Sequence, residues 1–188
     1  MQNATVVTSS ATPSRKRLLG LTIGMLLLLG LMATFAKGLQ TKESTQLSGR
    51  EAPQFVMPTF EGEEIALADL RGQIVVINFW ASWCVECYKE AALLEQAYQD
   101  YRNRGVIFLG VDYLDTEKEA MAYIQKYGIT YPSGPDLGSK ISDAYQITGV
   151  PETFFIDKSG EIAHVQIGPI ERRQLYGLLE QLTAESES

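Results

Sequence analysis

From Glu51 onward, apolar residues come in short blocks whose internal spacing predicts the type of each element. The blocks at 54–60 and 64–67 are punctuated by proline and glycine, which predicts an N-terminal β-hairpin. Ile74 to Trp80 is a nearly continuous apolar run, which is typical of a strand buried on both faces of a parallel sheet. Val106 to Val111 is a second run of this kind. Two central strands are therefore predicted.

After each of these strands, apolar residues recur at helical spacing. The first helix follows Cys84 and ends at Gly105, because glycine readily ends a helix. The second covers Thr116 to Tyr127, and a shorter one is predicted over residues 138–147. The inward positions of the second helix are predicted to be Ala120, Met121, Tyr123 and Ile124.

The C-terminal part predicts a hairpin and a final helix. Thr153 to Ile156 is an apolar strand, and Glu161 to Ile167 alternates as its partner. Pro169 opens an amphipathic helix that runs through Leu182. Because crossovers between parallel strands are right-handed, the first half forms a parallel unit. The predicted class is α/β, with a mixed central sheet, helices on both faces and the N-terminal β-hairpin as an extension.

The chain before this domain has a different character. The basic residues 15–17 precede 18–36, a stretch of 19 residues without a charge. At about 1.5 Å per residue, this stretch is long enough to cross a bilayer as one transmembrane helix. The basic cluster places residues 1–17 in the cytoplasm. A cleaved signal peptide is the alternative, although Thr34-Phe35-Ala36 is a poor cleavage site.

These patterns predict a membrane-anchored chain with one folded domain. A cytoplasmic tail (1–17) leads into the transmembrane anchor (18–36) and a polar linker (37–50). The folded domain covers 51–183, and an acidic tail follows at 184–188. The catalytic domain is expected on the extracytoplasmic, periplasmic side of the cell membrane.

Composition narrows the possible chemistry. The net charge of −7 argues against nucleic acid as a partner. Two cysteines are too few for a disulfide framework, and with one histidine, His164, they cannot supply four zinc ligands. No metal site is expected, and no cofactor beyond a redox-active disulfide. Tyr88 follows Cys87, so the C-x-x-C-H pattern of covalent haem attachment is absent.

Cys84 and Cys87 are the candidate catalytic residues. They stand directly after a buried strand and at the predicted start of a helix, where the dipole and free N–H groups stabilise a thiolate. Two intervening residues let both sulfurs meet within one turn, so a mixed disulfide on Cys84 can be resolved by Cys87. Trp80 is interpreted as a core residue and His164 as an ordinary strand residue.

The run N-F-W-A-S-W-C-x-x-C at 78–87, together with G-V-P-E-T-F-F-I-D at 149–157, resembles the membrane-anchored thioredoxin-like oxidoreductases of the TlpA/ResA/CcmG (DsbE) type. The resemblance covers about residues 50–183 and implies a thioredoxin-like fold. It also implies a function in cytochrome c maturation, in which oxidised apocytochrome c is the substrate and a membrane thiol carrier supplies electrons.

The resemblance implies roles for individual residues. Cys84 would be the exposed nucleophile and Cys87 the buried resolving thiol. Pro151 would be a cis-proline that faces the disulfide and presents backbone to a substrate, and Trp83 would flank the sulfurs. Two further residues match acidic positions that the family has near the site, Glu90 and Glu152. Asn78 stands where ordinary thioredoxins have a buried aspartate.

Glu86 departs from the family pattern, which often has proline before the second cysteine. It is either part of the site or a solvated acid at the start of a helix. Glu86 and Glu90 add negative charge that raises the pKa of Cys84, and no His or Lys lies within the motif. Because strong oxidants owe their potential to a stabilised thiolate, a reductant is predicted.

Three alternatives remain open at this stage. A general extracytoplasmic reductase or isomerase would use the same cysteines on other clients. A thiol peroxidase normally needs Thr three residues before its reactive Cys, where this chain has Ala81. A metal-delivery or chaperone module on the same fold would be a different class of protein. Its copper-binding form has C-x-x-x-C spacing and a partnered His.

Overall fold

A computed structural model describes residues 24–32 and 47–185 of the chain. Residues 24–32 are helical. Within the described ranges, none of the helices has both the length and the apolar character needed to cross a membrane. The predicted tail at 1–17, most of the predicted anchor at 18–36 and the linker up to residue 46 lie outside the described residues, so these predictions stay open.

The chain separates into two compact units, Met1–Lys42 and Glu43–Ser188, and the second contains the elements described below. Its strands are β1 (Val56–Pro58), β2 (Glu64–Ala66), β3 (Ile74–Trp80), β4 (Val106–Asp112), β5 (Ser133–Pro135), β6 (Glu152–Ile156) and β7 (Ile162–Ile167). Its α-helices are α1 (Ala91–Tyr101), α2 (Glu117–Tyr127), α3 (Lys140–Ala144) and α4 (Arg172–Glu185).

Five strands form a mixed sheet in the order β5-β4-β3-β6-β7. β3 lies parallel to β4 and antiparallel to β6, and β5 runs parallel to β4. The predicted N-terminal hairpin is confirmed, since β1 and β2 pair antiparallel outside the main sheet. Because β3, β4 and β5 are parallel, their carboxyl ends meet at one edge of the sheet.

The core has a layer on each face of this sheet, as predicted. Every residue of β3 is buried, and its side chains alternate between the two layers. One layer packs the sheet against α1, α2 and α4, and the other packs it against α3 and the hairpin. A strand with apolar contacts on both faces needs apolar residues at every position, which is why its sequence shows no alternation.

Local features differ from the sequence predictions at a few positions. Met121 is 42% exposed, because α2 turns the neighbouring Ala120 and Tyr123 toward the core instead. β5 was not predicted, since Ser-Gly-Pro carries no apolar pattern. It forms because Gly134 lies where an added Cβ would be 2.0 Å from the Pro58 carbonyl oxygen, so only glycine fits. Glu152, predicted to precede the strand, is the first residue of β6.

Candidate active site

The two sequence motifs meet at the edge where the parallel strands end. The cysteine motif follows β3 directly, and Pro151 precedes β6. Because β6 runs antiparallel to β3 with Glu152 opposite Phe79, the start of β6 lies beside the end of β3. The Val150–Pro151 peptide bond is cis, as predicted, while the role of Pro151 toward a substrate stays a prediction.

Cys84 and Cys87 form a disulfide, with their Cα atoms 5.3 Å apart. Cys84 is 5% exposed and Cys87 1% exposed, so Cys84 is the more accessible of the two. The Cys87 backbone N–H donates to the Cys84 Sγ at 3.0 Å. This bond is the kind that would stabilise a thiolate on Cys84 once the disulfide is reduced.

The sequence predicted an α-helix that begins at the cysteines, and the structure differs. Cys87–Lys89 form a 3₁₀ turn, and α1 begins only at Ala91. The cause is local hydrogen bonding, because the N–H groups of Lys89 and Glu90 donate three residues back, to Glu86 and Cys87. Since the effect of a helix dipole fades within its first turn, Cys84 receives less of it than the sequence suggested.

Glu90 is buried beneath this turn, with 1% of its surface exposed. Its Oε1 accepts from Asn78 Nδ2 at 2.8 Å, and its Oε2 accepts from the Ile170 backbone N–H at 2.7 Å. Burial raises the pKa of Glu90 to about 7, against the lowering effect of these two hydrogen bonds. The expected negative charge of Glu90 is therefore only partly present at neutral pH.

Glu86 has a different environment, because its side chain is on the surface. Both of its carboxylate oxygens accept from Lys89 Nζ at 2.7 Å. The sequence contains no lysine within the motif itself, and Lys89 lies two residues beyond it. The ion pair with Lys89 offsets part of the negative charge that Glu86 was expected to add near Cys84.

Glu152 is also buried, at 1% exposure, and holds the loop that carries the cis-proline. Its Oε1 accepts from both the backbone N–H and the hydroxyl of Thr148, each at 2.7 Å. Its Oε2 is buried and has no hydrogen-bond partner in the described part of the chain. Glu152 therefore fixes the start of the loop over residues 148–151.

Trp83 is 55% exposed beside the disulfide, where its indole Nε1 donates to the Leu114 carbonyl at 3.2 Å. Trp80 is buried and stacks on Tyr123 with ring centroids 4.4 Å apart, in agreement with its interpretation as a core residue. His164 lies against Phe155 on β7, and burial lowers its pKa.

Sequence reasoning missed three residues at this edge. The Tyr123 hydroxyl donates to the Cys87 carbonyl at 3.2 Å. Asp115 accepts hydrogen bonds from Ser82, two residues before Cys84. Asp112 is buried beside Asp115 at the end of β4. A carboxylate that ends an otherwise apolar strand was the available signal for Asp112.

This combination defines a thiol-disulfide oxidoreductase on a thioredoxin-like fold. The Cys84–Cys87 disulfide stands on a turn at the sheet edge, Cys84 is the more accessible of its two sulfurs, and a cis-proline lies at the same edge. Residues 48–165 match the AhpC/TSA family, and the chain belongs to that family.

Several relatives are named as enzymes of thiol-disulfide exchange. The chain is 34% identical over 170 residues to a thiol-disulfide oxidoreductase ResA of Bacillus cereus, covering 90% of this chain and 98% of the relative. A thiol:disulfide interchange protein of the thioredoxin family from Chlorobium tepidum TLS superposes with a TM-score of 0.66 at 27% identity, over 71% of this chain and 95% of that one. StoA from Bacillus subtilis gives 0.61 at 27% identity, over 68% and 97%.

Proposed function

We propose that this protein is an extracytoplasmic disulfide reductase that serves cytochrome c maturation by reducing apocytochrome c. The observation that carries the proposal is the Cys84–Cys87 disulfide at the sheet edge beside the cis-proline Pro151. Similarity to ResA over nearly the whole chain supports it. The uncharged segment 18–36 after a basic cluster supports a single membrane anchor, with the domain on the periplasmic side.

In the proposed reaction, the dithiol form of the enzyme reduces a client disulfide. The Cys84 thiolate attacks one client sulfur, an S–S bond forms between enzyme and client, and the other client sulfur leaves as a thiolate. The Cys87 thiolate then attacks Cys84 Sγ, which closes the enzyme disulfide and releases the second client thiolate. Two electrons pass to the client, and a membrane dithiol carrier restores the enzyme.

The surroundings of Cys84 support reduction rather than oxidation. Strong oxidants on this fold stabilise their thiolate, and the nearest cation in the sequence, Lys89, is paired with Glu86. The full α-helix begins seven residues after Cys84, so its dipole adds little. A measured potential near −120 mV, about that of a strong protein oxidant, would contradict this direction of electron flow.

Glu90, Glu152, Trp83 and Pro151 are proposed as supporting residues. Glu90 titrates near neutral pH behind the disulfide and is suited to exchange protons during thiol release. Trp83 and the backbone at Pro151 flank the approach to Cys84, where a client segment would lie. Glu86 is exposed and paired with Lys89, which favours its interpretation as a solvated acid over a site residue.

A cysteine trap in the native cell tests the client. Cys87→Ala should freeze the mixed disulfide on Cys84, and mass spectrometry of the captured proteins should identify apocytochrome c. The matched control, Cys84→Ala with Cys87→Ala, should capture nothing. Capture of many unrelated secreted proteins without a c-type cytochrome would contradict the proposal and favour a general extracytoplasmic reductase.

A further inference from the structure

Two segments at the active-site edge are joined by hydrogen bonds that the exchange reaction itself does not explain. One is the turn at 80–83, just before the nucleophile, and the other is the loop that follows β4. The Tyr113 N–H donates to the Trp80 carbonyl at 2.8 Å, and Trp83 Nε1 donates to the Leu114 carbonyl at 3.2 Å. The loop therefore holds both ends of the turn.

Every polar group of Ser82, in the middle of this turn, makes a hydrogen bond. Its N–H donates to Asp115 Oδ2 at 2.5 Å, and its hydroxyl donates to Asp115 Oδ1 at 2.7 Å. Its carbonyl accepts from the Tyr88 hydroxyl at 2.5 Å. Both oxygens of Asp115 therefore accept from one residue, which fixes the position of Ser82 against the loop.

Asp112 lies behind Asp115 and is buried, at 3% exposure. Its strand neighbours in register, Trp80 and Pro135, carry no charge. Asp136 donates its N–H to the Asp112 carbonyl, but its carboxylate accepts from Ile141 and Ser142 instead.

Burial, followed by the charge of Asp115, raises the pKa of Asp112 to about 8. At neutral pH Asp112 is therefore mostly protonated. Its Oδ1 is buried and has no hydrogen-bond partner in the described part of the chain, so Asp112 adds little negative charge beside Asp115.

We propose that Asp115 is a positioning residue for Cys84, which acts by fixing the turn through Ser82. Attack on a disulfide requires the thiolate to approach along the S–S axis, so the orientation of the turn affects its rate. This inference concerns the exchange reaction and does not depend on which protein is the client.

The test separates the orientation of Cys84 from its acidity. In the full-length Cys87→Ala protein, the rates of reaction of Cys84 with iodoacetamide and with oxidised glutathione are measured across pH. The pH dependence of the iodoacetamide reaction gives the pKa of the Cys84 thiol. The reaction with glutathione disulfide depends in addition on the direction from which the thiolate approaches the S–S bond. Asp115→Asn should slow the glutathione reaction by about ten- to hundredfold at full ionisation. Ser82→Ala should act in the same direction, and the double variant should be no slower than Asp115→Asn alone.

Opposite results would overturn the proposal. If Asp115 acted only through its charge, Asp115→Asn would lower the Cys84 pKa and speed both reactions at neutral pH. Asp69→Asn, an exposed aspartate before β3, is the matched control and should change neither rate.

Discussion

The buried carboxyl of Glu90 makes the stability of this domain depend on pH. Its pKa is raised from the ordinary 4.5 to about 7, because desolvation outweighs the hydrogen bonds from Ile170 and Asn78. The neutral form therefore favours folding. Its contribution is fully present below about pH 4.5 and is lost as the pH rises through 7. A pKa difference of this size corresponds to about 3 kcal/mol.

Glu90→Gln should remove this dependence. The free energy of unfolding of the oxidised wild type should fall by about 3 kcal/mol more than that of the variant between pH 4.5 and 8. At pH 4.5 the variant should be less stable than the wild type by about 1–3 kcal/mol, because one acceptor for Asn78 or Ile170 becomes an N–H group, and this deficit should close or reverse as the pH rises to 8. The stability difference between the two proteins at pH 4.5 and the change of that difference with pH are separate quantities, so each can be measured by itself.

Guanidinium denaturation followed by tryptophan fluorescence, at a series of pH values and constant ionic strength, measures both quantities. Asp112 also has a raised pKa, but its contribution is present in both proteins and cancels in the difference. Glu171→Gln, at an exposed position just before α4, is the control and should follow the wild type. Parallel profiles for wild type and Glu90→Gln would refute the assignment of this slope to Glu90.

Two further substitutions test the packing that places the site. Gly134→Ala should destabilise the domain by about 1–3 kcal/mol in thermal unfolding, because the new Cβ would meet the Pro58 carbonyl at 2.0 Å. Gly149→Ala has open space and should cost much less, and an equal loss would refute the steric explanation. Thr148→Ala removes one donor to the buried Glu152 and should cost about 1 kcal/mol in denaturant unfolding. Thr148→Ser should restore most of it, and failure to do so would assign the effect to the lost methyl group.

Much of the fold could be predicted because positions that are buried in the structure carry apolar residues in the sequence. β3 is apolar at every position but Asn78 because it has a core layer on each face, and α2 is bounded by its caps, Thr116 before it and Gly128 after it. β5 could not be predicted from its three residues. Its pairing depends on Gly134 lying against the hairpin, which is a contact between segments distant in the chain.

Part of the candidate site could likewise be predicted from the sequence, and part could not. The cysteine pair after a buried strand was sufficient to predict the redox chemistry, and the motif at 149–157 indicated the cis bond at Pro151. The charges around Cys84 were predicted less well. Glu86 and Glu90 are equivalent acids in the sequence, but one is neutralised by Lys89 on the surface and the other is buried.

The sequence by itself determined the pattern of strands and helices and the identity of the reacting sulfurs, because these depend on local spacing and on chemistry that only cysteine supplies. The tertiary structure alone decided which carboxyl groups are charged. A pKa depends on desolvation and on neighbours from other strands and loops. Asn78 and Ile170 around Glu90, and Asp115 beside Asp112, come together only when the sheet and its loops are formed.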